Sequence, residues 1–274
     1  MNKIVVFTDL DGTLLDEETY SAEVSLPALR ELQANSISII FCSSKTRAEQ
    51  KVIRKALGVE DPFIVENGSA IIVPPNNINI IGQHFEELDG TKILVLGAPF
   101  TEIRAALKQV VSRTGIAYQS FHDLSHEQIT QITGLNLDAA KRAKNRVFSE
   151  TIVTKFSLAE QEFFIRESEL YNLHCTVGGR FLSVIGKGAD KGKAVRSLAT
   201  QFENQFSDVI TIGIGDSPND APMLQEVDFP YLVQRPNGQW RNLNINNLNY
   251  LPAIGPLGFV EMVKDIKKRW FNQI

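Results

Sequence analysis

Two acidic clusters lie far apart in this chain, and their residue types suit the same chemistry. Asp9-Leu10-Asp11-Gly12-Thr13 follows the apolar run Ile4-Val5-Val6-Phe7 one residue on, after Thr8, and Gly215-Asp216-Ser217-Pro218-Asn219-Asp220 follows Val209–Ile214. Short β-branched runs closed by a Gly-containing turn read as buried strands, so both clusters emerge at strand C-terminal ends. Open α/β sheets place their ligands there. Carboxylates in that position can hold Mg²⁺ and supply a nucleophile, and a shared cation gives the two clusters a reason to converge. Ser43-Ser44-Lys45 adds hydroxyls and a cation at another strand end, and Asp190-Lys191-Gly192 opens a helix. Together they supply a nucleophile, phosphate donors, a charge clamp and metal ligands.

The elements that must position these residues are readable in outline. A strand at Ile4–Phe7, a helix over Leu26–Ala34, a strand at Ile37–Phe41 and a helix over Thr46–Leu57 alternate as a parallel sheet requires. Phe63–Val65 and Ala70–Val73 flank Glu66-Asn67-Gly68, where the Asn-Gly step signals a hairpin. Glu66 and Asn67 could approach a substrate, although the step also reads as a plain turn. The rhythm then changes: a strand at Lys92–Leu96, helices over Phe100–Ser112 and Leu158–Tyr171, a helix-prone stretch at Leu124–Lys144, and strands at Glu150–Phe156 and Phe181–Ile185. A helix over Lys191–Phe202, the strand Val209–Ile214 and a final strand near Tyr231–Val233 resume the first pattern. The expected fold is α/β: a Rossmann-like parallel sheet core (residues 1–82 and 187–274) with an inserted α+β cap (residues 83–186).

Composition excludes several classes. A formal net charge of −4 gives no basic field for nucleic acid or an anionic membrane. No apolar stretch approaches the roughly 18–20 residues of a membrane span, and the strand-like start carries no signal-peptide pattern, so a soluble, cytoplasmic protein is expected. The two cysteines, Cys42 and Cys175, are expected reduced and buried. Gly186–Lys193 is one residue short of a P-loop and has Ala194 where that loop needs a hydroxyl. His122 and His126 have no further ligand set, and Lys264–Arg269 reads as the solvated face of a closing helix. The Gln234–Gly238 loop reads equally as a border of the site or as a turn.

The set Asp9-x-Asp11-Gly12-Thr13, Ser43, Lys191 and Gly215-Asp216-x-x-Asn219-Asp220 resembles the four motifs of the haloacid dehalogenase superfamily of phosphatases. Phe41–Thr46, Glu66-Asn67-Gly68, Arg146–Glu150 and Gly178-Gly179-Arg180-Phe181 are similar to the mannosyl-3-phosphoglycerate phosphatase group. That group removes phosphate from a glycosylated phosphoglycerate to make a compatible solute. The resemblance implies Asp9 as nucleophile and Asp11 as acid and base. It implies Mg²⁺ held by Asp9, the Asp11 backbone carbonyl and Asp216, with Asp220 as direct or indirect support. Ser43 and Lys191 would hold phosphate oxygens, and Asn219 would orient Asp9 or Lys191. Lys45 stands where many relatives carry Arg and is expected to bind substrate, as a point charge suited to a carboxylate held differently. Arg180 is expected to grip the glycerate carboxylate and Glu150 the sugar hydroxyls, from a cap that closes over a small phosphorylated sugar.

The chemistry agrees with this. Uncatalysed phosphate monoester hydrolysis is among the slowest biological reactions, so positioning and charge neutralisation must supply the rate. Two unit charges at 4 Å repel by about 4 kcal/mol at an effective dielectric of 20, which slows attack by one anion on another unless a cation intervenes. Asp at position 11, where transport ATPases carry Thr, favours rapid hydrolysis or phosphoryl shuttling. A broader sugar-phosphate phosphatase, a phosphomutase and a non-catalytic sugar-phosphate binder therefore stand as alternatives.

Overall fold

The computed structural model describes residues 3–177 and 180–271; the expected Gly178-Gly179 part of the cap motif lies outside them. In chain order the first half runs β1 (Lys3–Thr8), α1 (Leu26–Ala34), β2 (Ser38–Cys42), α2 (Arg47–Leu57), β3 (Phe63–Val65), β4 (Ala70–Val73), β5 (Glu86–Leu88) and β6 (Thr91–Val95). The middle runs α3 (Phe100–Thr114), α4 (His126–Thr133), α5 (Leu137–Lys144), β7 (Ser149–Ile152), α6 (Leu158–Glu169), β8 (Leu173–Val177) and β9 (Leu182–Gly186). The chain then returns through α7 (Lys191–Glu203), β10 (Val209–Gly215), α8 (Ala221–Gln225), β11 (Phe229–Gln234), β12 (Asn249–Ile254) and α9 (Pro256–Ile266).

Nine strands form one mixed sheet, β12-β11-β10-β1-β2-β3-β4-β6-β5. The pairs from β12 through β3 are parallel, and β4, β6 and β5 add antiparallel pairs at one edge. Successive side chains of β1 face opposite cores, which is why its apolar run is unbroken rather than alternating. Ile4 and Val6 pack with Leu29 and Leu32 of α1 and with Phe259 and Met262 of α9. Val5 and Phe7 pack with Val195 and Leu198 of α7 and with Met223 and Leu224 of α8. A Rossmann-like core with helices on both faces results. A second sheet, β7-β9-β8, is antiparallel and carries α3 and α6 on its own core.

Several expected boundaries move. The strand expected at Lys92–Leu96 inside the insert is β6, and together with β5, which was not anticipated, it extends the large sheet through β4. Their signal was the Asp89-Gly90 step, both residues at positive φ as a two-residue hairpin demands. All three residues of β5 are exposed, as suits an edge strand, so no apolar pattern announced it. The helix-prone stretch Leu124–Lys144 divides into α4 and α5, β8 was not anticipated, and β12 lies beyond the expected last strand. Cys42 is buried as expected, whereas Cys175 is only half-buried; neither forms a disulfide. Among the described residues no helix is long and apolar enough to cross a membrane.

The turn between β3 and β4 brings the sheet and α7 together. Glu66, Asn67 and Gly68 all have positive φ, a conformation that side chains with a Cβ adopt at a cost. Gly68 also lies so close to the start of α7 that an added Cβ would stand 2.1 Å from the Asp190 carbonyl oxygen. Gly68→Ala is expected to destabilise the protein by about 2–4 kcal/mol, through steric overlap and left-handed strain. A thermal melt should fall by several degrees; an unchanged midpoint would show that this contact yields freely.

Candidate active site

The C-terminal ends of β1 and β10 are adjacent, and Asp9 N donates to Ile214 O at 3.0 Å. This parallel pairing delivers Asp9 beside Asp216 and Asp220, as the sequence predicted. Lys191 enters from the first residue of α7, whose cap is Asp190, accepting from Lys193 N at 2.8 Å. The Lys191 ammonium lies 2.7 Å from Asp9 Oδ1 and 2.6 Å from Asp220 Oδ1, with 1% of its side chain exposed. Asp220 Oδ2 accepts from the backbone amides of Asp216 and Ser217 at 3.0 and 3.1 Å. Both Asp220 oxygens are thus engaged, and the residue locks the turn onto Lys191.

Burial pushes Asp9 up to about 7, with Asp220 and Asp11 adding to the rise against the pull of Lys191. Burial, then Asp220 and Asp9, push Asp216 up to about 8, although Arg235 opposes this. Lys191 goes the other way: burial disfavours its charge, yet Asp220 and Asp9 outweigh that and hold it above the ordinary lysine value. The carboxylates outnumber the cation that holds them, so ionising all of them is costly. Asp9, Asp216 and Asp220 each offer an oxygen within 4.8 Å of the others. Mg²⁺ takes one or two carboxylates and keeps several waters, so this donor set fits a small hard cation. Asp9 and Asp216 have the oxygens to spare.

Asp11 lies at the rim. Its Oδ2 is 2.8 Å from Lys45 Nζ, and its Oδ1 is buried without a hydrogen-bond partner. Burial works against the Lys45 charge, but Asp11 and Glu49 more than offset it and raise its pKa. Asp9, Asp11, Lys45, Asp216 and Asn219 line a cavity of about 170 Å³ between sheet and insert, and Arg180, Phe181 and Thr151 line it from the insert. Asn219 accepts from Ser217 Oγ at 2.6 Å and donates to Asn67 Oδ1 at 3.4 Å.

Two expected placements differ. Glu150 is buried and pairs with Arg104 at 3.2 Å, with Thr151 N donating to its other oxygen. It does not line the cavity, because β7 turns its side chain into the insert and leaves Thr151 facing the site. Ser43 is buried behind the cavity wall, where its hydroxyl accepts from Lys45 N at 3.2 Å and its carbonyl from Asn67 N at 3.0 Å. The Gln234–Gly238 loop, which read equally as a border of the site or as a turn, does border it: Arg235 bridges Asp216 at 3.1 Å and Glu17 at 3.0 Å. Tyr20, which sequence reasoning missed, and Arg146 also line the cavity. Glu66, rather than approaching a substrate, accepts from Val147 N, Phe148 N and Ser149 Oγ and pins the insert to the sheet.

A model of haloacid dehalogenase-like hydrolases matches residues 6–239. The chain is 39% identical to a glucosyl-3-phosphoglycerate/mannosyl-3-phosphoglycerate phosphatase from Methanococcoides burtonii, over 96% of this chain and 97% of that one. It is 37% identical to a mannosyl-3-phosphoglycerate phosphatase from Pyrococcus furiosus, over 91% and 97%. Its fold superposes on a haloalkanoate-superfamily phosphatase from Bacteroides thetaiotaomicron with a TM-score of 0.67 at 19% identity, covering 98% and 95% of the two chains. The chain belongs to the haloacid dehalogenase-like hydrolase family. With its aspartate cluster at the strand ends, it is a phosphoric monoester hydrolase.

The raised carboxyl groups set a sign for stability. Between pH 4 and 8 the folded protein binds more protons at Asp9 and Asp216 than the unfolded chain, so their contribution is full at low pH and is lost as pH rises through about 7 and 8. The metal-free protein should therefore melt lower at pH 8 than at pH 6, and added Mg²⁺ should restore most of the difference. Equal melting points at both pH values, with no response to Mg²⁺, would contradict this electrostatic account.

Proposed function

We propose that this enzyme hydrolyses mannosyl-3-phosphoglycerate or glucosyl-3-phosphoglycerate, releasing phosphate and a glycosylglycerate that serves as a compatible solute. The observation that carries this reading is a cavity with Asp9 and Asp11 on the sheet side and the Arg180 guanidinium on the insert side. Such a substrate is anionic at two places, a phosphate and a glycerate carboxylate. Lys45, Arg146, Arg180 and Arg235 all reach this cavity, and an Arg fork suits a carboxylate. The names of the two relatives above support the same substrate class.

Asp9 attacks phosphorus, the bond to the glycerate oxygen breaks, and an aspartyl-phosphate forms. Asp11 donates its proton to the departing alkoxide, then takes one from the water that cleaves the aspartyl-phosphate. Its partnerless Oδ1 is the atom free for that transfer. Lys45 holds the other oxygen and fixes the carboxyl at the rim. Lys191 steadies the nucleophile through Asp9 Oδ1 and leaves Oδ2 to react or coordinate. Asp9 and Asp216 would hold Mg²⁺ with the Asp11 carbonyl, Asp220 acting through the turn it locks; the ion would neutralise the meeting of carboxylate and phosphate. Asn219 faces the phosphate from the cavity wall, whereas Ser43 acts there by fixing Lys45 and Asn67.

Phosphate release with Mg²⁺ should strongly favour the two glycosylated phosphoglycerates over a panel of hexose phosphates. Arg180→Ala should raise KM for those substrates by about tenfold or more, the worth of a charge-assisted hydrogen bond, and leave hexose phosphates little changed. Equal activity across the panel would leave the phosphatase and sink the narrow substrate assignment.

A further inference from the structure

Tyr20 touches both sides of the cavity. Its hydroxyl accepts from Arg180 of the insert at 2.8 Å, and its ring face lies 4.8 Å from the Lys45 ammonium. Lys45 in turn is the ion-pair partner of Asp11 at 2.8 Å. One side chain therefore joins the cation proposed to hold the substrate carboxylate to the residue proposed to move the proton.

The chain spends conformational strain to put Tyr20 there. Its φ is +56°, a left-handed value that a bulky aromatic residue adopts only when its surroundings impose it, and such strain gathers at functional sites. The turn is built to hold it. Asp16 Oδ1 accepts from the amides of Glu18 and Thr19 and from the Thr19 hydroxyl, at 3.2, 2.8 and 2.8 Å. Tyr20 N donates to Asp16 O at 3.0 Å, and Asp16 N to Ser21 O at 2.9 Å. The ring is half-buried and lines the cavity rather than packing into the apolar core. Core packing thus explains neither its place nor its conformation.

We propose that Tyr20 is a positioning residue that couples the seating of the insert, through Arg180, to the placement of Asp11, through Lys45. The inference rests on the reading of Asp11 and Arg180 given above. When Arg180 reaches Tyr20, the ring is held over Lys45, and Lys45 keeps Asp11 at the rim with Oδ1 free. Without that contact the Lys45–Asp11 pair loses one wall of its enclosure and samples other arrangements. The acid is then set for transfer when the insert is in place.

The two contacts separate by substitution. Tyr20→Phe keeps the ring and deletes the hydroxyl; Tyr20→Leu deletes both. With mannosyl-3-phosphoglycerate and Mg²⁺, Tyr20→Phe should raise KM about tenfold and lower kcat about threefold to fivefold, because Arg180 no longer holds the ring over Lys45; an unchanged kcat would overturn the coupling. Tyr20→Leu should show the same KM rise and a kcat reduced about tenfold or more, because its loss includes the cation–π contact and the aligned pair. With mannose 6-phosphate, which has no carboxylate, the kcat loss should persist and the KM change vanish. Combining Tyr20→Phe with Arg180→Lys should raise KM by much less than the product of the two single effects. Identical constants for the Phe and Leu variants, or multiplying effects in the double variant, would overturn the coupling; Tyr20→Phe keeps the test valid if Tyr20→Leu folds poorly. Full turnover by Asp11→Asn would instead overturn the acid assignment, and with it the Lys45 arm of the proposal. Hydrolysis of neither substrate by the unmodified enzyme would overturn the proposed function itself.

Discussion

The site depends on one buried ammonium shared by two carboxylates. Lys191 has almost no exposed surface, so its charge is tolerable only because Asp9 and Asp220 stand within 2.7 Å of it. Those three groups come from the end of β1, the start of α7 and the turn after β10, so that Asp9 lies 182 positions from Lys191 and Asp220 29. Any shift that parts them leaves a buried charge unpaired, at a cost of about 3–5 kcal/mol. The register of β1 on β10, the Asp190 cap and the clash-limited contact of Gly68 with the Asp190 carbonyl all keep that triad closed. A carboxylate fixed through one oxygen by such a clamp offers its other oxygen in one direction, which a nucleophile attacking in line requires.

A second set of contacts fixes the insert relative to this floor. Glu66, strained and buried in the β3–β4 turn, takes three hydrogen bonds from the segment leading into β7. Thr46 Oγ1 donates to Arg142 O at 2.9 Å, and Arg146 donates to Ser44 O at 3.2 Å. These contacts join the insert to the same loops that carry Lys45 and Asn67. The cavity-lining groups of the insert and of the sheet are thereby referred to a common frame. Arg180, on the other side of the cavity, meets the sheet layer through Tyr20. One flank is pinned by the Glu66 carboxylate and the opposite flank is clasped by Arg180.

Much of this arrangement was legible in the sequence because its signals are local. Each chemical residue follows an apolar run or opens a helix, and strand ends in α/β folds are where such residues act; hence Asp9, Asp11, Asp216, Asp220 and Lys191 converge as expected. Helices α1 and α2 were equally plain from their spacing. What escaped was long-range or carried no apolar pattern. Tyr20 meets Arg180 160 positions away, and nothing in its own neighbourhood announces that partner; the Arg235 loop was legible only as an equal choice between site border and turn. Glu150 misled because a carboxylate beside a family-like motif looks chemical, whereas strand alternation decides which side chain faces the cavity, and here that is Thr151. The edge strand β5 has no buried face to give it a signature.

The central claim is that Asp9 becomes phosphorylated and Asp11 clears the phosphate. The most direct test is mass spectrometry of the acid-quenched Asp11→Asn enzyme after mixing with mannosyl-3-phosphoglycerate and Mg²⁺. Asn at position 11 slows formation of the intermediate by withholding the leaving-group proton but blocks activation of the water that clears it, so a phosphate should build up on the peptide containing Asp9, and Asp9→Asn should abolish it. Steady phosphate release by the unmodified enzyme, with no labelled Asp9 in the Asp11→Asn variant and undiminished turnover by Asp9→Asn, would contradict the account.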